Sequence, residues 1–316
     1  MTGEPVVLRG GGLELSAYPG HGFVISQLTD AATGAGLLWT AGRPAEPCPA
    51  DLGPPGAASV DRFERDLLVG GWFVMFPTVG LPGPGARGRW MHGEAARLPW
   101  TLTGLTTTSA VAEVRTPASG FQVTRSLRLD ADGLTVRTVA VNRSDLVRPI
   151  SYGEHPCLSR PAFAGGRLRI PASRVSVLPC VEPAAATVPA GPVPDWPRVR
   201  AGDGQLVDLG LVPSEPDGAH DHVSIELSAG TVEIPAPALG RRLQMSFDTP
   251  VLGHVLLWRH HARPDRPGDA DVFAVEPASA PGRSFPEAVA AGRVRLVGPG
   301  ERVEFGLRLR WLRGAA

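Results

Sequence analysis

The clearest pattern along the chain is a period of two. Phe121-Gln122-Val123-Thr124-Arg125-Ser126-Leu127-Arg128-Leu129 alternates apolar and polar positions. Asp130-Ala131-Asp132-Gly133 supplies turn residues, and Leu134-Thr135-Val136-Arg137-Thr138-Val139-Ala140-Val141 alternates back. Alternation on both sides of a glycine-containing turn predicts a β-hairpin with one buried face. A second hairpin is predicted from 294–297, a Gly298-Pro299-Gly300 turn and 303–311. Shorter runs predict strands over 13–18, 23–28, 167–170, 223–227, 231–234, 243–247 and 255–258. Helical periodicity is confined to 286–291, enough for a turn or two.

Many short strands punctuated by glycine and proline predict an all-β chain, a large antiparallel sandwich. Two proline-rich stretches, 42–59 and 179–218, break the pattern and read as long loops. Strand patterning of one character continues on both sides of each, so a single domain is expected over residues 1–316.

Composition narrows the function. The 31 basic and 31 acidic side chains cancel, which leaves no general field for a nucleic-acid backbone. Every basic residue is Arg, so lysine Schiff bases and Walker-type phosphate binding are excluded. Gly10-Gly11-Gly12 lacks the following helix of a nucleotide loop, and no Gly-x-Ser-x-Gly is present. Cys48, Cys157 and Cys180 show no Cys-x-x-Cys spacing, so neither a disulfide framework nor a thiolate zinc site is expected. The opening residues lack a basic stretch followed by an apolar one, and the apolar window 67–76 is too short for a bilayer. A soluble cytoplasmic protein is expected, monomer or homodimer, with no membrane or nucleic-acid partner.

Three clusters of polar residues stand beside apolar strands. They are Trp90-Met91-His92-Gly93-Glu94 after the 71–80 stretch, Tyr152-Gly153-Glu154-His155-Pro156 after the first hairpin, and Val272-Phe273-Ala274-Val275-Glu276-Pro277. Burial at a strand end raises a carboxyl pKa and moves a histidine across neutrality, which suits a general acid–base set. Taken singly, His92 reads as a turn residue, His155 as a half-buried ring bonded to Glu154, and Glu276 as a backbone cap. Only their combination points to chemistry. His220, His222, His260 and His261 read as solvated loop residues rather than a metal site, although His220-x-His222 would project both rings to one side of a strand with Asp221 on the other. Trp72, Trp90, Trp100 and Trp258 are stacking candidates for a ligand, with core packing the more ordinary use.

In order along the chain, these residues resemble the aldose 1-epimerase, or galactose mutarotase-like, group. The resemblance opens at Leu13-Glu14-Leu15, Pro19 to Ser26 and Leu37-Leu38-Trp39. It continues through Phe76 to Gly80, His92-Gly93-Glu94, Glu154-His155-Pro156, His220-Asp221-His222 and Val275-Glu276-Pro277. It implies a β-supersandwich and interconversion of the α and β anomers of a monosaccharide or sugar derivative, without a cofactor or metal. By that resemblance Glu276 is the base at the C1 hydroxyl, His155 the acid at the ring oxygen, and His92 a stabiliser of the open form. Asp221 would bind sugar hydroxyls.

The chain departs from the group at Phe76-Pro77-Thr78-Val79, where galactose mutarotases carry Asn-Arg, and at Glu154, where they carry Asn. Arg65 or Arg97 is left to contact substrate. A hexose 6-phosphate branch has His-Gly-Phe-Ala-Arg, which His92-Gly93-Glu94-Ala95-Ala96-Arg97 approaches with an added acid. A carboxylate there would disfavour a phosphate dianion, so an unphosphorylated sugar is expected. A sandwich that binds carbohydrate without catalysis is the alternative from another class.

Overall fold

The computed structural model describes residues 4–42, 46, 55–56, 58–63, 68–83, 89–180, 186–262, 270–282 and 284–314. Its first strands are β1 (Val6–Gly10), β2 (Leu13–Tyr18), β3 (Val24–Asp30), β4 (Trp72–Met75), β5 (Thr101–Leu105), β6 (Ser109–Thr116) and β7 (Phe121–Asp130). There follow β8 (Gly133–Asn142), β9 (Arg148–Ile150), β10 (Gly153–Ser159), β11 (Ala172–Leu178), β12 (Gly191–Pro192), β13 (Arg198–Arg200) and β14 (Leu206–Asp208). The last are β15 (His220–Leu227), β16 (Thr231–Ala236), β17 (Arg241–Ser246), β18 (His254–His260), β19 (Val272–Ala278), β20 (Arg295–Val297) and β21 (Arg302–Arg313). Three short α-helices are described, α1 (Ala58–Arg62), α2 (Arg160–Phe163) and α3 (Phe285–Ala290), with one 3-10 turn at Pro237–Leu239, and none is long and apolar enough to cross a membrane.

Two large antiparallel sheets dominate. One has ten strands in the order β1-β2-β3-β4-β10-β19-β18-β15-β11-β12, and the other has seven in the order β16-β17-β21-β8-β7-β6-β5. The expected hairpin forms, with β7 and β8 in unbroken register from Phe121 opposite Asn142 to Asp130 opposite Gly133. Its alternate residues are buried, as the period of two requires, and aromatic contacts tie the sheets into one core. Phe76 meets Phe121 edge-on at 5.1 Å, and Phe163 meets Phe273 and Trp311 at 5.7 and 6.4 Å.

Arg125 lies in the buried phase of β7, among Val123, Leu127 and Leu129. Its guanidinium crosses the core and donates to both oxygens of Glu154 on β10 at 2.6 and 2.8 Å. It also donates to Thr138 Oγ1 of β8 at 3.0 Å, and Trp72 Nε1 of β4 donates to Glu154 at 2.8 Å. Arg125 and Glu154 are both fully buried, so this bidentate pair is a polar bolt between the sheets.

The second predicted hairpin does not form. β20 pairs with β9, whereas β21 pairs with β8 and β17. Asn142 redirects the chain, because its carbonyl accepts from Gly300 N at 2.9 Å and its Nδ2 donates to Val297 O at 2.9 Å. The 167–170 run makes only isolated bridges, Arg167 to Leu211 and Arg169 to Glu233. Most of the proline-rich 42–59 stretch lies outside the described residues, as does Cys48.

Removing one partner of a buried ion pair leaves the other charge without compensation. Arg125→Met is expected to lower the unfolding free energy by about 3–5 kcal/mol, read from urea unfolding midpoints. The double change Arg125→Met with Glu154→Leu is expected to recover most of that loss, because no uncompensated charge remains.

Candidate active site

The register of the ten-stranded sheet places the sequence candidates. Phe73 of β4 lies opposite His155 of β10. Gly153 faces Ala278 and Cys157 faces Ala274, which sets His155 opposite Glu276 of β19. Glu276 faces Leu256 of β18. Side chains two residues apart share a face, so the next row holds Cys157, Ala274, Trp258 and His222, and the row beyond holds His260 and His220. One face of five neighbouring strands therefore carries nearly all the unusual polar chemistry.

This face lines a cavity of about 430 Å³, with His92, His155, His220, His222, His260 and Glu276 beside Trp39, Trp258, Phe63 and Leu256. That volume is within the ~300–1,000 Å³ usual for small-molecule sites. The walls are mostly apolar, and a few convergent polar groups give them direction.

His155 and Glu276 meet at its centre. Nε2 of His155 lies 3.3 Å from Oε1 of Glu276, with both side chains almost wholly buried. The imidazole stacks on Phe73 at 4.4 Å, and its Nδ1 is 3.4 Å from Cys157 Sγ. Burial pushes the Glu276 carboxyl well above the usual carboxylate range. Burial likewise lowers His155 to about 3, opposed by its own backbone hydrogen bond and assisted by His222. Both directions favour the uncharged forms, so the proton rests on the Glu276 carboxyl beside a neutral imidazole. The Cys157 thiol is also pushed well up, first by burial and then by Glu276, and stays protonated beside them.

His92 comes from a tight turn against β4. Its N–H donates to Gly80 O and its carbonyl accepts from Phe76 N, with φ at +57°. Gly93 has φ +81°, and a Cβ there would sit 2.1 Å from Phe76 O, so only glycine lets the turn close. The two readings of His92 therefore coexist, since the turn residue also presents its ring edge-on to His155 at 5.0 Å. Burial, followed by His155, Arg97 and His222, holds His92 well below the usual histidine range. Its Nδ1 and the Trp258 Nε1 are buried with no hydrogen-bond partner among the described residues.

Other expectations need correction. Asp221 is buried on the opposite face of β15, where it accepts from Arg259 Nη1 at 3.1 Å and from Thr187 N at 2.9 Å. It braces the 187–188 segment and does not reach the cavity, because strand alternation gives that face to its neighbours His220 and His222. Arg97 is buried beneath the cavity, with its guanidinium over the rings of Phe63 and Trp90 at 5.9 Å, and does not line it. Arg65 lies outside the described residues. No arginine lines the cavity among the described residues.

Glu94 is turned away, accepting from Ala118 N and Ser119 N at 3.0 and 2.9 Å, and does not line the cavity. Glu154 belongs to the bolt between the sheets and does not bond His155. Trp72 and Trp100 are core residues whose indoles donate to Glu154 and to Ala95 O. Trp258 and the overlooked Trp39 line the cavity. His220, His222 and His260 lie on β15 and β18 and not in loops, while His261 points away to Asp217 at 2.5 Å.

No family model matches the sequence, and no curated protein is significantly similar to it. Solved structures are similar over the full length. A Synechocystis sp. PCC 6803 protein is 20% identical with a TM-score of 0.67, covering 99% of this chain and 98% of its own. An Escherichia coli K12 protein provisionally named an aldose 1-epimerase is 21% identical with a TM-score of 0.62, covering 98% and 99%. A galactose mutarotase-like protein of Lactobacillus casei ATCC 334 is 12% identical with a TM-score of 0.64, covering 98% and 100%. The chain has the galactose mutarotase-like β-sandwich fold.

The buried carboxyl sets a pH dependence of stability. Its folded pKa is raised above the unfolded value of about 4.3, so its contribution is fully present below that value and is lost as pH rises through the folded pKa. Glu276→Gln keeps the shape and an N–H for His155 but cannot ionise. Its urea midpoint is expected to exceed the wild type's by a margin that widens as pH rises above about 4.3. His155, held below the unfolded histidine value, costs stability as pH falls below ~6.5. That loss is common to both proteins.

Proposed function

We propose that the protein is an aldose 1-epimerase acting on an unphosphorylated sugar or sugar derivative. The observation that carries this reading is the 3.3 Å contact between His155 Nε2 and Glu276 Oε1, buried on the wall of a cavity of small-molecule size. The likeness to the Escherichia coli and Lactobacillus casei structures supports it at the level of fold.

The pair needs only the proton it shares. With that proton on Nε2, His155 is the acid and Glu276 the base. Glu276 takes the C1 hydroxyl proton while His155 gives its own to the ring oxygen, and the C1–O5 bond opens. The pair is then left as neutral carboxyl and neutral imidazole, the form that burial favours. The aldehyde end rotates about C1–C2, and the reverse transfers close the ring on its other face. Each well-placed group contributes roughly 10²–10⁴-fold, which suits a reaction that already proceeds in water.

Sugar hydroxyls are met by neutral donors and acceptors. His92 Nδ1 and Trp258 Nε1 are buried and without partners among the described residues. Both atoms have almost no exposed surface, so the imidazoles of His222 and His260, which line the cavity, are the groups that meet the hydroxyls. Trp39 and Trp258 offer apolar faces to the sugar ring. The unphosphorylated substrate is favoured because no arginine lines the cavity among the described residues, and His92, His155 and His222 are held below the usual histidine range.

Saturation-transfer NMR on a panel of aldoses is expected to show accelerated anomer exchange for at least one unphosphorylated sugar. Glu276→Gln is expected to lose about 10²–10⁴-fold of that acceleration while still binding the sugar. Binding without acceleration in the wild type would establish a carbohydrate-binding sandwich instead. Faster exchange for hexose 6-phosphates than for free hexoses would overturn the substrate assignment.

The rate should follow a bell. The basic limb reports loss of the shared proton, and the acidic limb reports a second proton arriving. Burial holds His155 down, so the acidic limb in kcat/KM is expected well below the ordinary histidine value of ~6.5.

A further inference from the structure

Beside the acid–base pair stands a second set of groups that the proposed reaction does not use. His220 and His222 lie two apart on β15, and both rings line the cavity. On the neighbouring strand Leu178 faces His222, so continuing that antiparallel register by two residues brings Cys180 opposite His220. The Cys180 thiol donates to His220 O at 3.2 Å, which confirms the placement. One nitrogen of each histidine and the Cys180 sulfur lie within 4.8 Å of one another. On the other side His260 faces His220 and stacks on it at 4.4 Å with 22° between planes, which fixes the ring's orientation.

We propose that Cys180, His220 and His222 form a binding site for a zinc-type divalent cation, with its fourth position open to an oxygen donor in the cavity. The donor set is one thiolate and two imidazoles, the soft and borderline ligands that select zinc over magnesium or calcium. A tetrahedral ion with bonds of 2.0–2.3 Å needs its ligands about 3.4–3.6 Å apart. Side-chain rotations of about an ångström from the present spacing achieve that. On binding, the Cys180 S–H bond breaks, its proton goes to solvent, and the sulfur–metal bond forms.

Three protein ligands leave a position for water or a ligand oxygen. It opens on the cavity because both histidines line it. Trp258 separates this set from the acid–base pair, at 6.2 Å from His222 and 6.0 Å from His155. A single small polyol or hydroxy acid held against Trp258 would therefore meet both.

The test uses cobalt as the probe. Full-length protein is stripped with chelator, kept reduced and titrated with Co²⁺. One equivalent per chain is expected to give the visible bands of a tetrahedral ion and a near-ultraviolet thiolate charge-transfer band, both abolished by Zn²⁺. Cys180→Ser is expected to lose the charge-transfer band and to weaken cobalt binding about 100-fold or more, beyond what outer-sphere changes usually cost. His222→Gln is expected to weaken binding similarly, and Cys157→Ser to leave both signals. Failure of the wild type to take up stoichiometric cobalt overturns the site, as does a charge-transfer band that survives Cys180→Ser. The readout needs no sugar, so it stands or falls separately from epimerase activity.

Discussion

The bidentate contact of Arg125 with Glu154 governs the geometry of the whole cavity. It joins β7 of one sheet to β10 of the other through a core otherwise lined by apolar side chains, with Trp72 of β4 as third partner. A buried ion pair is a poor source of stability compared with well-packed apolar residues. Its effect here is on register. Successive residues of a strand face opposite ways, so fixing Glu154 inward fixes His155 outward, and fixing Trp72 inward turns Phe73 outward onto His155. A slip of one residue in β10 would bury the imidazole opposite a guanidinium and leave a carboxylate against Phe73. The charge in the core is thus a positioning device for the His155–Glu276 contact on the other face.

Two buried glutamates, one on each side of the same sheet, show how partners decide use. Glu154 accepts hydrogen bonds from a guanidinium and an indole, and its oxygens are committed. Glu276 meets only an imidazole at 3.3 Å in apolar surroundings, so desolvation acts on it without a fixed cation to offset it. That cost holds a proton on the carboxyl beside a neutral imidazole. The first arrangement holds the fold, and the second leaves an uncharged carboxyl on the cavity wall.

Legibility from sequence followed exposure. The hairpin at β7 and β8, and β2 over Leu13–Tyr18, have one face toward the core, so their alternation could be read directly. β4, β10 and β19 are buried on both faces and carry no alternation to read, yet they hold the centre of the site. What betrayed them was chemistry out of place, a His and a Glu inside apolar runs, which is why His155 and Glu276 could be picked out. The phase of β15 was the harder problem. The resemblance gives Asp221 to the substrate, although the alternation of His220-x-His222 puts it on the other side of the strand. One further signal lies in the sequence: Arg125 and Thr138 are polar residues in the inward phase of two long strands, and they bond to each other. A cation in the apolar phase of an amphipathic strand calls for a buried acid opposite, and Glu154 was that acid.

The absence of arginine from the described lining changes how a ligand can be selected. A guanidinium would grip an oxygen anion almost regardless of the rest of the molecule. A wall of imidazoles and apolar rings grips only a ligand that presents hydroxyls where the ring nitrogens stand. Where buried polar atoms expect a hydrogen bond, an analogue lacking the matching hydroxyl leaves them unmet and is rejected far more strongly than one missing a methylene. The imidazoles of His222 and His260 line that wall, with Trp258 between them and His155. Discrimination should therefore fall on where a ligand carries its hydroxyls and not on its net charge.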